Sequence, residues 1–510
     1  MQLVHNWFSR LSYIILSGAL LYLYQFMLRS QAAVFTEIFG VPVSLGLLAV
    51  LLVLISGFLF GVYRLRKKQF HFSSKAENWI AGSILIVGFI LRIVYAKYMV
   101  LEPASDFLRY HSIAEHLVNG TLQTTGSAHC DYIALFPGTI GTSVYLAMIY
   151  RLFGSGNLFA AQAVNAVLAV FSCFFIWRTA RQMGGKGTGL AALFLTAFCP
   201  SQILFANGLA SEFPFVFLMT LCIWLFVLML ERIKSQCFKG CIVLSVLIGI
   251  LTGVNQNIRS TSGIFLIACL ICLFSLRPIR PEPKTRKRVF SFLLAVLMTV
   301  SFILTGSVCN SAIEKTIDQK VTKGVKKVGW NLFLGMNRES VGKYNSEDVQ
   351  LWDEARKGKT PDEAHAICFD AAIERAFSDF ASLPKLLVGK YEVLWGDDVF
   401  SCDYNIIQKG EQGTLTEAAD AFLRSMRLVC SVYYFMMLAF SGLYVWFAWK
   451  KRRLDGGYLL VLIWLGTIAA HLLLETAPRY HYHVLNLMPV LCALGISQLW
   501  QNQNTESLQK

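Results

Sequence analysis

The feature that most constrains this chain is a series of apolar blocks about 18 to 22 residues long, close to the ~20 helical residues that cross a ~30 Å hydrocarbon layer. A helix satisfies its own backbone hydrogen bonds inside lipid, so each block is able to span. Composition points the same way: 55% of the 510 residues are hydrophobic and 15% charged, against about 25% charged in soluble domains. Twelve blocks are legible, at 11–28, 41–63, 79–98, 157–177, 188–206, 212–230, 240–256, 260–277, 289–309, 429–448, 457–474 and 484–500. The first is too long for the apolar region of a signal peptide, and further spans follow at once. The expected fold is an all-α polytopic membrane protein with about twelve transmembrane helices.

Orientation follows from Lys and Arg, which gather on cytoplasmic flanks. The basic clusters are Arg64, Arg66, Lys67 and Lys68; Arg178, Arg181 and Lys186; Arg232, Lys234 and Lys239; Arg277, Arg280, Lys284, Arg286, Lys287 and Arg288; and Lys450, Lys451, Arg452 and Arg453. All fall on one side only if both termini are cytoplasmic and the apolar stretch 135–153 does not span. That stretch, with Pro137 near its start and Arg151 near its end, is expected to be an interfacial or re-entrant helix on the outer face.

The net charge of +15 thereby sits mostly in cytoplasmic connectors facing anionic lipid heads. No basic patch interleaved with aromatics marks a nucleic-acid surface, and no nucleic-acid partner is expected. Of thirteen cysteines, most fall inside spans, where Cys behaves as a small hydrophobe. Cys130, Cys309, Cys368 and Cys402 lie outside or at an edge, leaving a disulfide among them open. No cysteine or histidine spacing indicates a metal cage.

Four parts follow: an accessory transmembrane hairpin over 1–75; a membrane body over 76–309 that holds the first outer loop, 99–156; a mainly helical extracytoplasmic insert over 310–428, whose charges nearly cancel; and a three-helix membrane segment over 429–510.

Candidate chemistry gathers at the outer ends of the spans. In LEPASDFLRYHSIAEHLVNG, residues 101–120, Phe107, Tyr110, Ala114 and Leu117 recur at helical spacing and Gly120 ends the pattern. Asp106 opens this amphipathic helix, as an N-cap or as a working carboxylate. Glu212, in LASEFP, begins a span, where an acid is costly unless paired or functional. It is a candidate for binding acceptor, sugar or a divalent ion, or for capping its helix. Arg259, in NQNIRSTSG, and Arg479, Tyr480, His481 and His483, in APRYHYH, are either headgroup anchors or an anion-binding set. Arg92, deeper in a span, reads as structural or lipid-facing. His129 and Asp131 flank Cys130 in a triplet that fits a solvated loop.

Pro103, Asp106, Tyr110, Ala114 and Gly120 together resemble the opening of the first outer loop in the membrane-embedded, polyprenyl-phosphate-dependent glycosyltransferases of the C-type fold, which include the protein mannosyltransferases and the lipid A aminoarabinose transferase. FPGTIGTSVYLAMIYRLFGSGNLFAAQAVNAVLAV, ARQMGGKGTGLAALFLTAFCP, LASE and the late APRYHYH also look like this family. The resemblance is good over about 79–277 and partial in the last spans. One departure is Ser105, where some relatives carry an acid before the Asp.

The resemblance implies a glycosyltransferase that moves a sugar from a polyprenyl-phosphate donor to an acceptor hydroxyl on the outer face, by inverting displacement. Asp106 would be the base, and Arg479, Tyr480, His481, His483 and Arg259 would meet the lipid phosphate. A positioned base typically contributes ~100 to 10,000-fold, and a departing phosphate needs cations where its charge develops. The acceptor, whether glycan, lipid or protein, is not legible. No cofactor is indicated, and a divalent cation is left open. The rival reading from another class is a secondary transporter, whose usual marks of paired repeats and mid-membrane ionisable groups are not evident. A noncatalytic assembly protein is the third.

Overall fold

A computed structural model describes residues 2–39, 73–235, 237–275, 284–451 and 455–507. Among these residues every regular element is helical. In chain order they are α1 (Gln2–Phe39), α2 (Ser74–Tyr98), α3 (Asp106–Asn119), α4 (Ser127–Leu135), α5 (Ile140–Phe153), α6 (Leu158–Gly184), α7 (Lys186–Ala197), α8 (Pro200–Leu204), α9 (Glu212–Lys234), α10 (Phe238–Gln256), α11 (Ser262–Ser275) and α12 (Lys284–Ile317). They continue with α13 (Gly329–Gly335), α14 (Ser346–Ala355), α15 (Pro361–Ser378), α16 (Leu383–Trp395), α17 (Phe400–Glu411), α18 (Glu417–Lys451), α19 (Gly457–Leu473), α20 (Tyr482–Leu485) and α21 (Met488–Ser507).

The chain is a multi-pass membrane protein. Six described helices, α2, α6, α9, α10, α12 and α18, are long and apolar enough to cross a membrane, and up to eight spans result if each of two bent helix pairs counts as one. Helices α11 and α19 are apolar but shorter. The expected span 41–63 and the cluster Arg64, Arg66, Lys67 and Lys68 lie outside the described residues, as do Arg277, Arg280, Arg452 and Arg453.

Three boundaries differ from expectation for local reasons. The block 188–206 is not one helix: α7 stops at Ala197 and the chain turns into Pro200, which has no N–H to continue the ladder. Arg92, fully buried, bridges the break, donating from Nη1 to the carbonyls of Gly88 and Ala197 at 2.9 Å each. Its charge sits at the negative end of α7, a structural role. The insert, read as 310–428, begins and ends inside helices: α12 runs on to Ile317 and α18 starts at Glu417. Ile313 and Ile317 explain the extension, because they pack on Ile113, Leu122, Cys130 and Ile133 of the first loop. The last block is bent by 51° between Pro478–Leu485 and Met488–Leu499.

The stretch 135–153 turns sharply, with 101° between Ser127–Leu135 and Pro137–Phe153, as a re-entrant or interfacial helix does. Gly141 donates to the carbonyl of Asn257 at 2.7 Å, and a Cβ there would stand 2.5 Å from that oxygen. Only glycine lets α5 touch the turn between α10 and α11.

The insert packs on this same loop. Leu135 joins Trp330, Phe333, Leu334, Trp352, Ala364 and Cys368 in one buried cluster. Helix α15 is started by a capping box between Thr360 and Glu363, with Pro361 in the first turn. Buried Asp348 holds Arg375 at 2.9 Å and Asn337 at 2.9 Å. The four cysteines open to pairing are free thiols, Cys130, Cys368 and Cys402 buried and Cys309 half-buried.

Candidate active site

Four segments far apart in sequence meet at the end of the bundle that carries the insert: the start of α3, the start of α9, the turn between α10 and α11, and residues 475–480.

Asp106 is the first residue of α3, and the preceding cap, Ser105, makes no side-chain cap bond. Ser105 is instead held at φ 55, ψ −128, a region costly for any residue with a Cβ, by ~1–3 kcal/mol. The Asp106 carboxylate is therefore not spent on the helix terminus. It accepts a hydrogen bond from Arg479 Nη2 at 2.6 Å, joining residues 373 apart. Arg479 also lies 5.4 Å from the Phe107 ring and 5.7 Å from the Tyr480 ring, two aromatic faces that suit a guanidinium.

The second ion pair is Glu212 with Arg259. Glu212 opens α9 without capping it and is almost fully buried, with its side chain 3% exposed. Arg259 also donates to Ser211 Oγ at 3.2 Å and stands 5.4 Å from the Tyr480 ring. Tyr480 thus lies near both guanidiniums, and Asp106 acts electrostatically on it. Tyr110, one turn along α3 from Asp106, has its phenol pushed well up by burial and then by the Asp106 charge.

Two histidines of APRYHYH do not join this cluster. His481 is buried, bonded through Nδ1 to the Leu394 carbonyl at 2.5 Å and through Nε2 to Asp398 at 3.3 Å, and stacked on Trp395 and Tyr434. Asp398 in turn accepts from Ser201. His483 bonds Thr467 Oγ1 at 2.9 Å and meets the edge of Phe215. In the 3-10 turn Pro478–His481 and the helical turn that follows it, the side chains of Arg479 and Tyr480 face the cluster while those of His481 and His483 face the core. The triplet around Cys130 also disperses: His129 bonds Ser112, Cys130 bonds the Leu122 carbonyl, and Asp131 bonds Gln319. Among the described residues no group of three His, Cys, Asp or Glu side chains is placed to hold a metal ion.

Sequence reasoning missed Glu475 and Lys390. Glu475 ends the same apolar block that precedes APRYHYH, and an acid at the edge of a span is the signal that singled out Glu212. Its Oε2 accepts from Asn331 Nδ2 at 3.2 Å. Burial raises its pKa, Arg479 working against this and Asp106 with it. Lys390, from α16, is 1% exposed and donates to the carbonyls of Gly335 and Leu474 at 2.8 Å each. Burial brings its pKa down to about 7, opposed by the Glu475 charge. No sequence signal marked it, since one Lys in a charged insert is unremarkable.

Residues 139–305 match the protein family described as dolichyl-phosphate-mannose-protein mannosyltransferase. Among solved structures, the chain is similar to the oligosaccharyltransferase AglB from Archaeoglobus fulgidus in complex with an inhibitory peptide and a dolichol-phosphate, at 13% identity and a TM-score of 0.46, over 86% of this chain and 52% of that one. It is also similar to ArnT from Cupriavidus metallidurans bound to undecaprenyl phosphate, at 12% identity and a TM-score of 0.35, over 83% of this chain and 78% of that one. The chain spans about half the length of the first of these. No curated protein matches it in sequence. The family match bears out the resemblance drawn from the motifs above: this chain is similar to the membrane glycosyltransferases of the C-type fold, and over residues 139–305 to their protein mannosyltransferase branch.

Proposed function

We propose that the chain is a glycosyltransferase that moves a hexosyl or pentosyl group from a polyprenyl-phosphate donor to an acceptor hydroxyl on a glycan, lipid or protein, at the extracytoplasmic face. The observation that carries this reading is the Asp106–Arg479 pair, a carboxylate and a guanidinium brought together from opposite ends of the chain. The membrane body and the terminal spans would thus form one site, with the insert closing over it and both termini cytoplasmic.

The chemistry asked of the site matches what is present. Asp106 takes the proton of the acceptor hydroxyl as its oxygen attacks the anomeric carbon from the face opposite the phosphate. The bond from that carbon to the phosphate oxygen breaks, its electron pair leaves with the lipid phosphate, and the anomeric configuration inverts. Arg479 supplies positive charge where the phosphate's charge develops, and Arg259, held by Glu212, adds to the field. In the resting site Arg479 is engaged by Asp106, so phosphate binding draws the guanidinium away and leaves the carboxylate free to accept a proton. Hydroxyls of Tyr480 and Tyr110 line the same place. His481 and His483 act from the core, fixing the turn that presents Arg479.

The test is a membrane assay with a panel of radiolabelled polyprenyl-phosphate sugars, following label into lipid, polymer and protein fractions. Wild type is expected to consume one donor, and Asp106→Asn to lower turnover by roughly 100-fold or more while still binding the carrier lipid. Consumption of no donor, with movement of a solute instead, would sink the transferase reading in favour of transport.

A further inference from the structure

Residues 99–105, the strap between α2 and α3, carry the chain from a membrane-crossing helix to Asp106 without regular structure of their own. Among the described residues no backbone–backbone hydrogen bond involves 100–103, and buried backbone carbonyls need partners. The insert supplies them from α17 and the residue that ends it. Lys409, 7% exposed, donates to the Val100 carbonyl at 2.8 Å. The side-chain amide of Gln412 pairs with the Glu102 backbone as a neighbouring strand would, donating to its carbonyl at 3.0 Å and accepting from its N–H at 3.4 Å. Asn405, fully buried, accepts from Asn207 Nδ2 at 2.6 Å, and that nitrogen also donates to the Met99 carbonyl at 2.6 Å. Residues 405, 409 and 412 are four and three apart, so their side chains share one helical face.

We propose that Lys409 and Gln412 are positioning residues for Asp106: by clamping the strap they hold Ser105 in its strained conformation, and so fix where α3 begins and where its first carboxylate points. This rests on the transferase reading above. The strain is the reason a clamp is needed. Ser105 stands at φ 55, ψ −128, and a residue with a Cβ stays in such a conformation only where its surroundings over-determine it. On the helix side the surroundings are the first turn of α3. Phe107 and Arg109 donate their N–H groups to the Ala104 and Ser105 carbonyls at 3.1 and 3.3 Å, and the Phe107 ring lies 5.4 Å from Tyr404 of α17 and 6.1 Å from Phe205. On the strap side they are Lys409 and Gln412. A released strap lets Ser105 relax, and rotation about the bonds just before Asp106 swings its carboxylate off Arg479.

Two consequences set this role apart from the plain covering of bare carbonyls. The groups assigned to the donor phosphate, Arg259 and Arg479, lie outside the strap, so donor binding keeps its partners while the base loses its place. The loss therefore falls on kcat, and a displacement of about 1 Å costs on the order of 100-fold. The second consequence concerns Ser105 itself. Glycine enters positive φ without steric cost, so Ser105→Gly removes the strain that the clamp opposes and makes the clamp matter less. A lysine and a glutamine that only satisfied backbone groups would be indifferent to that substitution.

The test is steady-state kinetics in detergent, on the donor that wild type consumes, with folding checked by thermal unfolding. Lys409→Met and Gln412→Met are each expected to lower kcat by roughly 10- to 100-fold and to leave donor KM within about threefold of wild type. The loss caused by Lys409→Met should be about fivefold smaller in a Ser105→Gly background than in the wild-type background, the coupling expected of residues that act on one backbone conformation. Wild-type kcat in either single variant, a loss that falls on donor KM instead, or an equal loss in the two backgrounds would overturn the proposal. Should Lys409→Met fail to fold, Gln412→Met, at a half-buried position, takes its place in the comparison of backgrounds. A wild type that consumes no donor condemns the transferase reading itself.

Discussion

If the donor phosphate competes with Asp106 for Arg479, then removing the charge on Asp106 should tighten binding of the carrier lipid even as it abolishes turnover. The size of the effect follows from the pair. A hydrogen bond between charged groups is worth ~1.5–3 kcal/mol, but the Asp106 side chain is 37% exposed and that of Arg479 18% exposed, so screening lowers its worth to ~1 kcal/mol. Phosphate no longer has to break that bond in Asp106→Asn, which predicts a Kd for polyprenyl phosphate about fivefold lower than wild type. Titration of detergent-solubilised protein with polyprenyl phosphate measures this without any acceptor or turnover. Arg479→Gln should weaken binding, and adding Asp106→Asn to it should give no further gain, because the competition is gone. The ratio of wild type to Asp106→Asn should also shrink as salt is raised. An Asp106→Asn protein that binds polyprenyl phosphate no tighter than wild type refutes the competition, and so does an equal gain in the Arg479→Gln background.

Further outcomes follow from the buried charges. Arg259→Gln strands Glu212 in a nearly closed site and should destabilise the protein by ~3–5 kcal/mol, whereas Glu212→Gln combined with Arg259→Gln should recover part of the loss; thermal unfolding in detergent compares them. Lys390→Met orphans the carbonyls of Gly335 and Leu474 and should cost about 1–3 kcal/mol each. Because the Lys390 pKa is about 7 in the fold and about 10.4 in an unfolded chain, the unfolded state binds more protons between these values. Wild type should therefore gain stability over Lys390→Met as pH rises from about 7 to about 10; melting curves across that range that run parallel would contradict it.

Much of the membrane architecture is legible because hydropathy and helical length are properties of local sequence. The spans near 79–98, 157–177, 212–230, 240–256 and 289–309 each lie within a helix of the structure. What local sequence does not carry is where an apolar run stops being one helix. In 188–206 the break depends on Pro200 and on Arg92 arriving from another helix to satisfy the Ala197 carbonyl. The polar residues past 309 and before 429 look like insert because they are charged. Those past 309 remain helical because Ile313 and Ile317 find partners on the first loop.

The site was legible residue by residue and not as an arrangement. Asp106, Glu212, Arg259 and Arg479 stood out by type and by position at the ends of spans, but nothing in the sequence says which acid meets which base. APRYHYH looked uniform in purpose, whereas a tight turn sends its neighbours to opposite sides, Arg479 and Tyr480 to the cluster and the two histidines to the core. Glu475 escaped notice because the motif drew attention to the residues after it.

Helices α12 and α18, of 34 and 35 residues, have a consequence for how this protein sits in membranes of different thickness. At 1.5 Å per residue each is about 50 Å long, roughly 20 Å more than the hydrocarbon layer. The insert and first loop are fastened to these rigid struts near their ends, Ile313 and Ile317 on one and Asp403 to Arg427 at 3.0 Å on the other. A thicker or thinner bilayer can thus slide along the struts, its edge rising or falling, while the distances among Asp106, Arg479 and Glu475 stay as they are. Hydrophobic mismatch would be taken up by tilt and by lipid, and the geometry of the site would be insulated from the bilayer that carries it.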